Sequence, residues 1–242
     1  MINSIIKKIE SISVKMYFYS YFYYHSMINK EIKHKVEAIL KLSESDINLS
    51  TDEQEEQALP GMKKYLQNGW YKYMLGRYLF SIKYVKNKRV LDTACGLGWG
   101  SYLISDYPQS LISVDIDDKS LNFARKKWKS NKMEFKHLSI LELSKLENKF
   151  DMVLGYEVIE HLTYKDGETY IQEIGKVLDS KGRLILSSYF PNLEEEARIS
   201  EKKNKFHPHI YTKSEMNSIL GKNKFHKIKY YGDLIITAEK YD

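Results

Sequence analysis

Three features are scarce in this 242-residue chain, and each scarcity removes a class of explanation. Cys95 is the single cysteine, so no intrachain disulfide can form and the fold must be held by burial. A disulfide-stapled secreted scaffold is excluded. Charge of one sign does not dominate either: 38 Lys and Arg face 32 Asp and Glu, a net charge of +6, with basic and acidic residues interleaved. That pattern favours solubility over nucleic-acid binding. Long hydrophobic runs are also missing. The stretch 16–29, MYFYSYFYYHSMIN, is uncharged, but it is Tyr-rich and shorter than the roughly 20 residues of a spanning helix. Lys7, Lys8, Glu10 and Lys15 interrupt the first apolar residues, and no small-residue cleavage site follows them. Neither a membrane span nor a secretory leader is expected, and the expected compartment is the cytoplasm. What is present, 43% hydrophobic and 29% charged residues, suffices for a sizeable core.

Up to residue 84 the pattern is helical. Ile2, Ile5, Ile6 and Ile9 recur at spacings of three and four, as do Val36, Ile39 and Leu40. Between them, 42–52 reads as a loop ending in a cap at Ser50 or Thr51, with Gln54 behind Thr51. From Arg89 short apolar runs alternate with amphipathic stretches, the rhythm of βαβ units and a parallel sheet. Strands are expected at 89–93, 111–115, 133–138, 150–156, 184–188, 224–231 and 234–239, with helices at 98–105, 119–129, 166–178 and 213–220. Only Gly232 and Asp233 separate the last two strands, too few for a parallel crossover, so they should pair antiparallel. The expectation is an α/β, Rossmann-like sheet of seven strands, mostly parallel with an antiparallel last strand. A helical cap or lid (1–84) precedes this core (85–242).

The most informative segment is 90–100, VLDTACGLGWG, where a strand ends in Asp92 and runs into a turn carrying Gly96, Gly98 and Gly100. Glycine serves where backbone must approach a ligand closely. A second strand, LISVDID, ends at Asp115, where a carboxylate can accept both hydroxyls of a ribose, with Ile116 beside it. A dinucleotide loop, G-x-G-x-x-G, is the competitor. Here, however, the third glycine follows the second by two residues instead of three, and Asp92 would repel a pyrophosphate. A carboxylate there suits a cofactor carrying ammonium and sulfonium groups, as S-adenosylmethionine does.

VLDTACGLGWG, VDID, FDMVLGYEVIEHL and GRLILSSYF, in that order, resemble the successive motifs of class I S-adenosylmethionine-dependent methyltransferases over 89–241. The resemblance implies the seven-stranded methyltransferase sheet and places the cofactor at Asp92, Ala94, Gly96, Gly98, Asp115, Ile116, Ser139, Ile140 and Glu157. Ala94 stands where many members have glycine. Ser139 stands where Asp often meets the adenine amino group, so backbone at Ile140 would carry more of that recognition.

Glu157, Glu160 and His161 follow the strand expected at 150–156, at the edge where open α/β folds bind ligands. On a helix they would share a face, and two carboxylates with an imidazole suit a hard cation such as Mg or Mn. The E-x-x-E-H run is similar to that of ubiquinone-pathway O-methyltransferases and small-RNA 3′-terminal 2′-O-methyltransferases. That likeness implies a divalent metal gripping the acceptor oxygen, and HPHIYTKSEM would add His207 as fourth ligand. The alternative is that the acids cap the helix or touch cofactor. O-methyl transfer needs a proton acceptor aligned with the nucleophile, a role suited to histidine, and His161 and His207 are the candidates. His209 stacks or caps in the same loop, while His25, His34, His137 and His226 carry no motif.

EQALPGMKKYL, LGRYLFSIKYVKNKRVLDTACGLGWGSYLIS and FHPHIYTKSEMNSIL are similar to a methyltransferase branch associated with glycan assembly, including sugars of lipopolysaccharide and capsule. The resemblance implies a sugar, nucleotide-linked sugar or glycan as acceptor. That branch reads E-R-x-x-P where this chain has Glu56 and Gln57; Arg77 either replaces the missing charge or is a helix-surface residue. The aromatic tract of Tyr17, Phe18, Tyr19, Tyr21, Phe22, Tyr23 and Tyr24 suits a lid on the sheet, a sugar pocket or a homodimer contact. Stacking on RNA would need phosphate neutralisation from elsewhere. Another small molecule, a terminal ribose, or a non-catalytic cofactor-binding role are the other readings.

Overall fold

Strand burial explains why the centre of the sheet was easy to read. In a computed structural model describing residues 19–20, 22–23, 29–47 and 58–241, β1 (Arg89–Thr93) and β4 (Phe150–Tyr156) are buried almost continuously. Strands covered on both faces carry unbroken apolar runs. The outer strand β6 (Phe225–Tyr231) instead alternates, with charged side chains that discourage edge pairing. With β2 (Ser110–Asp115), β3 (Met133–His137), β5 (Leu178–Ser187) and β7 (Ile235–Lys240), the seven strands run in the order β3-β2-β1-β4-β5-β7-β6. The β2–β3, β1–β4 and β4–β5 pairs are parallel, whereas β7 is antiparallel to both β5 and β6. The expected mixed sheet is therefore present, with Gly232, Asp233 and Leu234 forming the last turn. Among the described residues no helix is long and apolar enough to cross a membrane. Ile2, Ile5, Ile6, Ile9, His25, Ser50, Thr51, Gln54, Glu56, Gln57 and Tyr17, Phe18, Tyr21 and Tyr24 of the aromatic tract lie outside the described residues.

The chain divides into two compact units, residues 1–87 with 95–137, and residues 88–94 with 138–242. In the first, helix α1 (Lys30–Leu40) starts at Asn29, whose Oδ1 accepts from the N–H groups of Glu31 and Ile32. It buries Ile32, Val36 and Ile39, and its Lys35 donates to Ser105 Oγ at 2.8 Å and pairs with Asp106 at 2.7 Å. Burial pushes the Lys35 ammonium below its ordinary value, and Asp106 opposes that shift. After the short α2 (Lys63–Asn68), helix α3 (Trp70–Val85) is buried on nearly every side from Tyr73 to Ile82. A helix that is apolar all round is core. Arg77 on it is only 4% exposed and lies 4.7 Å from the Tyr73 ring centroid, which corrects the helix-surface alternative. Helices α4 (Trp99–Ile104) and α5 (Asp118–Lys127) complete this unit, and Trp99 Nε1 donates to Ala58 O at 2.8 Å.

In the second unit, α6 (Tyr164–Val177) is capped by Thr163, whose hydroxyl oxygen accepts from Asp166 N–H. Its buried Tyr170 hydroxyl meets Thr93 Oγ1 at 2.5 Å. Strand β5 begins six residues before the expected position, because its register with β4 jumps from Phe150↔Leu178 to Met152↔Arg183. The irregularity holds Lys181 at φ +61° and Gly182, where a Cβ would come within 2.8 Å of Asp179 O. Hydrophobic alternation gives no sign of such a break. Helix α7 (Glu194–Glu201), not among the expected elements, has three glutamates in its first turn, which suits the helix dipole. Helix α8 (Lys213–Lys222) opens with a full capping box between Thr212 and Glu215.

Candidate active site

The turn after β1 is built from left-handed backbone. Ala94, Gly96 and Gly98 have φ of 51°, 52° and 70°. A left-handed alanine costs about 1–2 kcal/mol, strain of the kind that collects at functional turns. Within the first unit the turn is pinned by Cys95 N–H donating to Val114 O at 3.0 Å and Trp128 Nε1 donating to Leu97 O at 2.8 Å. Packing gives Gly98 and Gly100 a further reason to be glycine. A Cβ on Gly98 would stand 2.7 Å from the Phe135 ring, and one on Gly100 2.1 Å from the Tyr78 ring.

Asp115 ends β2 at 8% exposure, its two oxygens accepting from Gly96 N–H at 2.7 Å and Asp117 N–H at 2.9 Å. Burial pushes its carboxyl up, while the Asp117, Gly96 and Ile116 N–H groups oppose that shift. Each carboxylate oxygen keeps lone-pair capacity, so Asp115 can still accept from two vicinal hydroxyls, as the ribose of S-adenosylmethionine requires. Ile116 follows at 70% exposure, an apolar surface beside that carboxylate, while its carbonyl meets His137 Nε2 at 2.9 Å. Turn, carboxylate and apolar neighbour fit an adenosine-bearing cofactor.

In the second unit Asp92 is fully buried at the end of β1. Ser139 caps the 3-10 turn Ile140–Leu146 by accepting from Leu141 N–H at 3.2 Å, and Ile140 is half-buried. Glu157 leaves β4 in left-handed backbone at φ 54°. Its N–H donates to Ser187 O at 3.0 Å and its Oε1 accepts from Ser187 Oγ at 2.8 Å.

The helical face expected for Glu157, Glu160 and His161 does not form. Ile159–His161 is a single 3-10 turn preceded by the left-handed Glu157. The chain instead gathers Glu160, His161 and His207, whose ligating atoms lie within 4.8 Å of one another. Glu157 is not in that trio. Glu160 is 3% exposed. His161 Nδ1 lies 3.1 Å from Phe206 O, and His207 Nε2 lies 3.0 Å from Asn204 Nδ2, with the rings perpendicular at 5.0 Å. Burial lowers the His207 pKa, the neighbouring His161 lowers it further and Glu157 opposes both.

His209 stacks, as one of its two expectations had it, edge-on against Tyr211 at 4.4 Å. Arg198, Glu201 and Glu215 surround it. Burial chiefly lowers its pKa. Arg198 Nη2 also donates to Ile210 O, and Glu201 accepts from Ile210 N–H, so α7 clamps the loop that carries His207. Sequence reasoning missed this clamp and Asn204. The available signal was an Asn two residues before a peptide N–H it could accept, the signature of an Asx turn.

One carboxylate with two imidazoles is a donor set suited to nitrogen-tolerant divalent ions such as manganese or zinc more than to magnesium. Glu160 and His161 fit such an ion; His207 fits only if its Nε2 gives up the Asn204 amide.

Residues 85–233 match the family model described as a methyltransferase domain. The chain is 29% identical over 109 residues to the ubiquinone biosynthesis O-methyltransferase of Pelagibacter ubique, covering 45% of each chain. It is 27% identical over 177 residues to the phosphoethanolamine N-methyltransferase of Plasmodium falciparum, covering 68% of this chain and 66% of that one. The chain spans about half the length of the first curated relatives it matches. Among solved structures, the magnesium protoporphyrin IX methyltransferase of Synechocystis PCC 6803 with bound SAM superposes with a TM-score of 0.61. Identity there is 19%, covering 79% of this chain and 92% of that one, a likeness of fold.

Proposed function

Because the chain belongs to the methyltransferase domain family, we propose that it is an S-adenosylmethionine-dependent O-methyltransferase. The acceptor would be a hydroxyl of a saccharide or saccharide-linked group. The observation that carries the oxygen chemistry is His161: its Nδ1 is tied to the Phe206 carbonyl, which leaves Nε2 to take a proton. When bound, S-adenosylmethionine supplies a methyl group made electrophilic by its sulfonium. Asp115 would hold the ribose, and Gly96 and Ala94 shape the turn. Asp92 would supply negative charge suited to a cationic ligand, and the resemblance assigns Ile116, Ser139, Ile140 and Glu157 to the same ligand. His161 would receive the acceptor proton during transfer, so no alkoxide need form in advance.

The saccharide class rests on the resemblance of the flanking segments to the glycan-associated branch. In this reading residues 1–84 are assigned to acceptor recognition, and a homodimer is compatible with it. The second reading, a divalent ion held by Glu160, His161 and His207, is favoured by the 4.8 Å spacing of their ligating atoms. Gain of one methyl mass on a panel of nucleotide-linked sugars, glycan fragments, quinols and terminal riboses tests the acceptor. Methylation restricted to quinols or riboses would overturn the saccharide assignment, and none on any acceptor would favour a non-catalytic role. Activity lost to chelator and restored by manganese selects the metal version; activity unchanged by chelator removes it.

A further inference from the structure

The two histidines are joined through two residues, Phe206 and Asn204, and the polarity of that link fixes what each ring presents. The Phe206 carbonyl faces His161 Nδ1 at 3.1 Å. A carbonyl only accepts, so the proton of the neutral His161 ring sits on Nδ1 and its lone pair on Nε2. The Phe206 N–H is taken by Asn204 Oδ1 at 3.0 Å. That bond orients the amide, because its oxygen end is already committed, and Nδ2 is the end that lies 3.0 Å from His207 Nε2. An amide nitrogen only donates. His207 Nε2 is therefore an acceptor, and the proton of its neutral ring sits on Nδ1.

We infer that Asn204 and the Phe206 peptide set the two imidazoles in complementary roles, His161 offering a lone pair at Nε2 and His207 a donor at Nδ1–H, and so select a neutral hydroxyl as acceptor. Asn204 is a positioning residue in this scheme. A hydroxyl placed between the two rings would donate to one and accept from the other. A carboxylate has no proton for His161, and an ammonium has no lone pair for His207. This consequence rests on the O-methyl-transfer reading, whereas the tautomers rest on hydrogen-bond polarity alone. In the transfer, the acceptor O–H bond breaks with its proton going to His161 Nε2 while the O–C bond forms. The S–C bond breaks with its electron pair staying on sulfur, which leaves as a neutral thioether. His207 gains and loses nothing. With Nε2 engaged by Asn204 and Nδ1 protonated, His207 offers a cation a lone pair only once the Asn204 bond is given up.

The test is long-range proton–nitrogen NMR on the full chain labelled with ¹⁵N-histidine, at a pH where both rings are neutral. In the wild type both His161 and His207 should show a proton-bearing Nδ1 and an unprotonated Nε2, each assigned by its His→Gln variant. Asn204→Asp keeps the shape and the bond to Phe206 N–H but turns a donor toward His207 into an acceptor. It should move the proton onto His207 Nε2 and leave His161 unchanged. A wild-type His207 protonated at Nε2 overturns the inference without recourse to any variant, as does an Asn204→Asp spectrum identical to wild type. For turnover, Asn204→Asp should lower kcat about tenfold with KM for the cofactor unchanged. Tautomers as inferred alongside no methylated oxygen acceptor would sink the proposed function and uphold the ring assignment.

Discussion

Asp115 and His161 are both polar groups held at the end of a strand, and they are held by different kinds of contact. The Asp115 carboxylate accepts from backbone N–H groups 19 residues before it and 2 residues after it, all in one stretch of chain. His161 is held by a carbonyl 45 residues away, on a loop that α7 clamps through Arg198 and Glu201. The first arrangement is completed by a βαβ turn and needs little else. The second exists only when the chain has returned, and its parts can be altered separately.

The largest effect that would sharpen this contrast is at the histidine. His161→Ala should reduce turnover by about 10²–10⁴-fold while leaving cofactor affinity nearly unchanged, measured by steady-state kinetics beside calorimetry. Lost affinity with normal turnover at saturating cofactor would break the division of labour. Next, Asp115→Ala removes a charged acceptor from two backbone N–H groups and from the ribose. Cofactor affinity should fall roughly 100-fold, equivalent to about 2.7 kcal/mol.

The packing side of the comparison is tested at glycines. Gly100→Ala would drive a Cβ into the Tyr78 ring, and should cost about 2–3 kcal/mol, a fall in Tm of roughly 5–10 °C. Away from both regions, Arg89 holds the Asp151 carboxyl below the usual carboxylate range, chiefly through their hydrogen bond. A depressed folded-state value means that this contribution is present at neutral pH and is lost as pH falls through it. Asp151→Asn should therefore lower stability at pH 7 by no more than about 1 kcal/mol, since the pair is partly exposed. The gap from wild type should close below about pH 4 in a denaturation series. The smallest effect is the control: a Cβ on Gly221, in α8, meets nothing within 4 Å. Gly221→Ala should raise stability by about 0.5–1 kcal/mol.

Legibility in the sequence followed the same divide. The strands at 89–93 and 150–156 were read to the residue because both are buried on two faces, which forces an unbroken apolar run. The beginning of β5 was missed because Lys181 and Gly182 interrupt its register, and a break in pairing leaves no periodic trace. The glycines carry a second reason that the sequence does not show: Gly98 and Gly100 make room for Phe135, Ala124 and Tyr78, none of which adjoins them in sequence. Glu157 was grouped with Glu160 and His161 by spacing on an assumed helix, and its left-handed backbone prevents that helix from starting there.

Sequence alone determined the order and type of the strands, the turn opening after Asp92 and the carboxylate closing β2, because these depend on local periodicity, glycine chemistry and short loops. Tertiary structure decided which acids and histidines meet, since His161 faces the carbonyl of Phe206, 45 residues downstream, and His207 faces the amide of Asn204. A side chain's chemistry is written in the chain, but which of its atoms holds the proton depends on the group that folding brings against it.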